Sequence, residues 1–110
     1  MLIALALTDT QAVAAPEPFS LDVPARGFEE HCLKLEAGDR IHYRYTAPAD
    51  VAFNIHYHRG NDVVYPVKTD ASRAGDARFT APRSDTFCLM WERKGDGAVR
   101  VEGTVERVER

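Results

Sequence analysis

Three imidazoles occupy alternating positions in two segments of otherwise mixed character: His42 within Arg40-Ile-His-Tyr-Arg-Tyr45, and His56 and His58 within Val51-Ala-Phe-Asn-Ile-His-Tyr-His58. If these segments pair as a hairpin with Tyr45 opposite Phe53, Tyr43 opposite Ile55 and Ile41 opposite Tyr57, then His42 falls opposite His56. Cross-strand Cβ atoms would stand about 4.5–5.5 Å apart, and the rings could converge on one ion with bonds of about 2.0–2.1 Å. A three-imidazole set suits zinc or copper, whereas calcium and magnesium prefer oxygen. Asp62 stands just past the following turn as a candidate fourth ligand.

Arg40, Arg44 and Arg59 border the same positions and oppose that reading, because their charge disfavours a divalent cation and the loss of ligand protons. The same arginines suit a carboxylate, a phosphate or an anionic polysaccharide, which guanidinium groups hold in bidentate fashion. The two readings predict opposite responses to pH: a metal site weakens as pH falls toward about 6, and an anion site tightens as the histidines gain charge. A third reading is a solvated polar face whose histidines make ordinary hydrogen bonds. A sandwich that assigns the two segments to different sheets would separate His42 from the other pair.

The chain has two cysteines, Cys32 and Cys88. Leu33 and Leu35 alternate with Cys32, and Phe87, Leu89 and Trp91 alternate with Cys88, so both sulfurs leave the apolar face of their strands. This suits a bridge between neighbouring strands of one sheet, worth about 4 kcal/mol in the chain-entropy model for so long a loop. The competing reading is a Cys32 nucleophile with His31 as base. Successive strand residues point to opposite faces, which places His31 badly for that role. Other catalytic signatures are missing: no glycine-rich phosphate loop, no G-x-S-x-G elbow, no H-E-x-x-H helix. The expectation is a protein that is not an enzyme.

The elements that must position these residues are extended. Phe53, Ile55 and Tyr57 alternate with Asn54, His56 and His58, the period of a strand with one buried and one open face. Arg59-Gly-Asn-Asp62 supplies turn chemistry before Val63-Val-Tyr65, which predicts a hairpin. Pro18 to Pro24 reads as an edge segment and Pro66 as an edge or bulge, because proline cannot donate to a ladder. Phe28 to Leu35, Arg40 to Tyr45, Ala77 to Thr80, Thr86 to Arg93 and Ala98 to Val105 read as further strands. Asp70 to Asp76 reads as a polar loop and Lys94-Gly-Asp-Gly97 as a hairpin turn. No segment sustains a helical period. About eight short antiparallel strands predict a β-sandwich or jelly roll.

At 110 residues, with 45% hydrophobic and 28% charged, the chain reads as one globular domain. A formal net charge of -3 gives no broad basic field, which argues against a nucleic-acid partner. No membrane span follows the N-terminal segment. Leu2 to Leu7 is apolar and Ala12-Val-Ala14 fits a signal-peptidase pattern, so residues 1–15 read as a signal peptide lacking its basic start and residues 16–110 as the mature domain. Two cysteines agree with an oxidising compartment, periplasmic or extracellular.

Glu29-Glu-His-Cys32, Gly38, the Tyr43/Tyr45 alternation, Val51-x-Phe53-x-Ile55, Phe79-Thr-Ala81 and Thr86-Phe-Cys-Leu89 together resemble the Golgi-dynamics (GOLD) domain over residues 18–106. The resemblance implies a β-sandwich, a Cys32–Cys88 disulfide and a role in binding another molecule. The coiled coil, membrane helix and cytoplasmic tail of the cargo receptors that carry this domain are not among these residues, so a secreted or bacterial periplasmic relative is expected. The His-x-His pair lies outside the family pattern. Taken together, the sequence predicts an exported binding module whose partner is another protein or a small ligand, working through the open His/Arg face.

Overall fold

A computed structural model describes residues 16–108, so residues 1–15, and with them the signal-peptide expectation, lie outside the described residues. The chain forms β1 (Glu17–Val23), β2 (Phe28–Leu35), β3 (Arg40–Arg59), β4 (Asp62–Thr80), β5 (Asp85–Glu92) and β6 (Val99–Val108), with no helix among the described residues. Every pairing is antiparallel.

Two very long strands organise the rest. β3 pairs with β6 through residues 40–46 and with β5 through residues 52–56, while β4 follows it along nearly its whole length. The first layer is therefore β1, β6, the first half of β3 and the second half of β4. The second layer is β2, β5, the second half of β3 and the first half of β4. Between them the β3–β4 ladder bends: residues 46 to 51 of β3 face only residues 72 to 74 of β4. Extra residues in one strand of a ladder bend it and sharpen its twist, and this bend folds one half of the hairpin over the other.

The core fills the space between the layers. Ile41, Tyr43, Tyr45, Val51, Phe53, Ile55 and Tyr57 all point inward from β3, so the alternation survives the bend in phase. Across the gap Tyr43 and Tyr45 lie 5.2 and 5.0 Å from Phe53, ring centre to ring centre, and Trp91 meets Phe19, Tyr45 and Phe53. These are offset and edge-on aromatic contacts of favourable geometry. Val99, Val101 and Val105 complete the core from β6.

The predicted all-β antiparallel sandwich with one disulfide is present, built from six strands rather than eight. Segments 40–46 and 51–58 do not pair as a hairpin; they are one strand. Tyr45 does meet Phe53, but across the core rather than along a sheet. Asp70 to Asp76 continues β4, because an edge strand exposed over much of its length needs no apolar alternation. Residues 93–98 link β5 in one layer to β6 in the other and so form no hairpin. The turn after Arg59 closes the β3–β4 hairpin with Arg59 opposite Asp62 and Gly60 at φ 62°, a conformation glycine adopts without Cβ strain. Tyr65 and Pro66 fall where the ladder slips between the Tyr57–Val64 and Ile55–Val67 pairs, the bulge that Pro66 predicted.

Candidate functional site

Because odd-numbered residues of β3 face inward in both layers, even-numbered ones face outward, on opposite sides of the sandwich. His42 lies on the outer face of the first layer, where its cross-strand neighbours are Arg78 and Glu106. His56 and His58 lie on the outer face of the second. The structure therefore does not bring His42 to the pair, and the three-imidazole arrangement required by a 40–46/51–58 hairpin is not formed. Asp62 sits opposite Arg59 at the hairpin tip, following the parity of the other face of the strand. Arg40 and Arg44 belong to the first layer and Arg59 to the tip of the second, so the arginines do not share one anion site.

His42 is built into an ionic row. Its Nε2 lies 2.5 Å from Asp76 Oδ1 and its Nδ1 3.3 Å from Glu106 Oε1, so a carboxylate stands at each ring nitrogen and ties β4 and β6 to β3. The His42 hydrogen bond, helped by Arg44 and Arg78, holds the Asp76 carboxyl below its ordinary pKa.

The outer face of the second layer is different in kind. Cys32 and Cys88 sit directly opposite each other on β2 and β5 and form the expected disulfide, and His56 lies opposite Cys88 on the next strand. The row beside it is Glu30, Met90 and Asn54. The His56 ring donates from Nδ1 to Asn54 Oδ1 at 2.7 Å. Its Nε2 then faces Glu30 Oε2 at 3.5 Å. His58 packs edge-on at 5.5 Å, Tyr65 closes the other side at 5.8 Å, and Lys68 lies over the Tyr65 ring. Although it points away from the core, His56 is only 6% exposed. Burial lowers its pKa; Glu30 opposes that shift and His58 adds to it.

Two further properties single out this face. The large apolar side chains exposed among the described residues, Phe28, Val63 and Tyr65, share it: Phe28 follows the parity of Glu30, Val63 pairs with His58 and Tyr65 touches His56. The two polar residues buried among the described residues, Asn54 and His56, lie on it as well. Sequence reasoning found His56, His58 and the cysteines but missed Glu30, Asn54, Tyr65, Phe28 and Met90. Asn54 and Glu30 carried a usable signal, standing two residues before His56 and Cys32 on the same strand face. Tyr65 did not, because the bulge at Pro66 sets its direction.

His31 follows the opposite parity from Cys32 and stacks on Phe19 at 5.6 Å, so it does not serve a thiol. A wide trough of about 1020 Å³ crosses the first layer between Ser20, Thr46, Thr104 and Asp76. No helix among the described residues is long and apolar enough to cross a membrane.

No family model matches this sequence, and no curated protein matches it. Solved structures do match in shape. A mitogen derived from Yersinia pseudotuberculosis aligns with TM-score 0.63 at 6% identity, over 86% of this chain and 87% of its own. The pre-peptidase C-terminal domain of a Bacillus anthracis collagenase aligns with TM-score 0.63 at 10% identity, over 83% and 89%. A periplasmic inhibitor of g-type lysozyme from Aeromonas hydrophila aligns with TM-score 0.62 at 13% identity, over 84% and 86%. At such identities the likeness is one of fold: this chain is built like other small all-β domains with a sandwich-like architecture.

Proposed function

We propose that this protein is an exported, non-catalytic binding module that docks a protein partner on the outer face of its second layer. The observation that carries the reading is the set of large apolar side chains exposed on one face: Tyr65, 46% exposed, against the buried His56, Val63, 39% exposed, opposite His58, and Phe28, 55% exposed, four residues along β2 from Cys32. Interfaces concentrate aromatic residues and methionine at their centre and keep charge at the rim. Here Tyr65 and Met90 stand beside His56, with Glu30 and Lys68 among them and Lys34 and Glu92 further out. Supporting context comes from a neighbour in shape that is itself an inhibitor of another protein, from the GOLD-like pattern, and from a disulfide, which suits the periplasm or the extracellular space. The N-terminal segment fits this route as a signal peptide.

The test compares the wild type with Phe28→Ala/Tyr65→Ala and with Arg40→Ala/Arg44→Ala, which lie on the opposite face. Each is immobilised and exposed to an envelope extract of the cells that make it, and retained partners are purified and titrated by calorimetry. Loss of two exposed aromatic side chains of this face should weaken binding by about tenfold or more, and the arginine pair should bind like the wild type. Retention by the aromatic double variant with loss in the arginine variant would move the binding surface to the first layer.

A further inference from the structure

The row Cys32, Cys88, His56, with Glu30 beside it, holds more chemistry than a binding face needs. One ligand atom from each of Glu30, His56 and Cys88 lies within 4.8 Å of the others. Cys32 is the direct cross-strand partner of Cys88 on the same face. With Nδ1 of His56 committed as donor to Asn54, Nε2 presents a lone pair. It faces another lone-pair atom, Glu30 Oε2, at 3.5 Å. Two acceptors pointed at each other need a proton or a metal ion between them.

We infer that, once the Cys32–Cys88 bond is reduced, these two thiolates, His56 Nε2 and the Glu30 carboxylate form a four-ligand site for zinc. In the oxidised protein the sulfurs are spent on each other and the set is incomplete. Tetrahedral zinc with bonds of about 2.0–2.3 Å keeps its ligand atoms roughly 3.3–3.8 Å apart, so Glu30, His56 and Cys88, within 4.8 Å of one another, close on an ion with an adjustment on the order of 1 Å, while the freed Cys32 thiolate, one strand further from His56, turns toward them across Cys88. The Asn54 hydrogen bond is the outer-shell contact that fixes a ligating imidazole's tautomer and aim. Cys32 is exposed, within reach of a reductant. A dithiol supplies the two electrons and two protons, becoming a disulfide as the two cysteines become thiols; zinc then displaces the two thiol protons to solvent. Reoxidation expels the metal. This goes beyond the docking reading, which concerns the oxidised protein and stands or falls separately.

Cobalt(II) replaces zinc as a spectroscopic probe. Protein reduced with a phosphine and titrated anaerobically should bind one equivalent, with the visible bands of tetrahedral cobalt and a sulfur-to-cobalt charge-transfer band; oxidised protein should show neither. Glu30→Gln and His56→Ala should each weaken binding by about tenfold or more, and Asn54→Ala by about tenfold, with His42→Ala unchanged. Near-ultraviolet dichroism from Trp91 follows the fold in parallel. Wild-type affinity in both Glu30→Gln and His56→Ala would mean that the thiols alone bind cobalt, and would overturn the site. So would reduced protein that binds no stoichiometric metal, or that unfolds and is not refolded by it.

Discussion

Tyr45 shows how a single side chain dictates its neighbours. It faces Gly75 on β4 and Gly103 on β6, and Phe19 faces Gly103 from β1, so two large rings alternate with two residues that have no side chain. A Cβ on Gly103 would run into the Arg44 carbonyl and the Phe19 ring; one on Gly97 would meet open space. Gly103→Ala should therefore destabilise the protein by about 1–3 kcal/mol, the usual cost of overpacking, and Gly97→Ala by less than about 0.5 kcal/mol. Urea denaturation of both variants checks the difference. Equal stability would mean that the β3–β6 ladder gives way at little cost. The inward direction of Tyr45 was legible from alternation. Its need for glycine on both sides was not, since no local pattern says which strands will flank it.

Among the elements, β2 depends most on a covalent tie. It is an outer strand, hydrogen-bonded to β5, and the disulfide spans a sequence separation of 56. In the chain-entropy account, cutting a loop of that size costs about 4 kcal/mol, a large share of the roughly 5–15 kcal/mol of a typical domain. Cys32→Ser/Cys88→Ser should lower the urea midpoint by an amount of that order, and hydrogen exchange in β2 should accelerate before that in β3. Uniform acceleration in all strands would show that β2 unfolds only with the whole. The pairing was legible because both cysteines sit out of phase with their apolar neighbours. The unity of β3 was not: Ala47-Pro-Ala-Asp50 carries loop chemistry, yet the ladder runs past it as a bend.

At the scale of the whole molecule, the bend decides which side chains share a surface. His42 and His56 head opposite outer faces, so their contributions should be independent. Single and double His42→Ala and His56→Ala variants should give stability changes that add within about 0.5 kcal/mol, with or without zinc. Coupling that appears only with zinc would restore a shared ion. Alternation along the chain settled the fold class, the inward and outward sides of the two halves of β3 and of β2, β5 and β6, and the disulfide, because these follow from the two-residue period of a strand; the irregular β4 carried no such signal. Tertiary structure alone decided that His42 leaves the other histidines and that Glu30, Asn54 and Tyr65 join His56. The reason is physical: local sequence says to which side of its own strand a residue points, but only the folding of one long hairpin over itself says what that side will face.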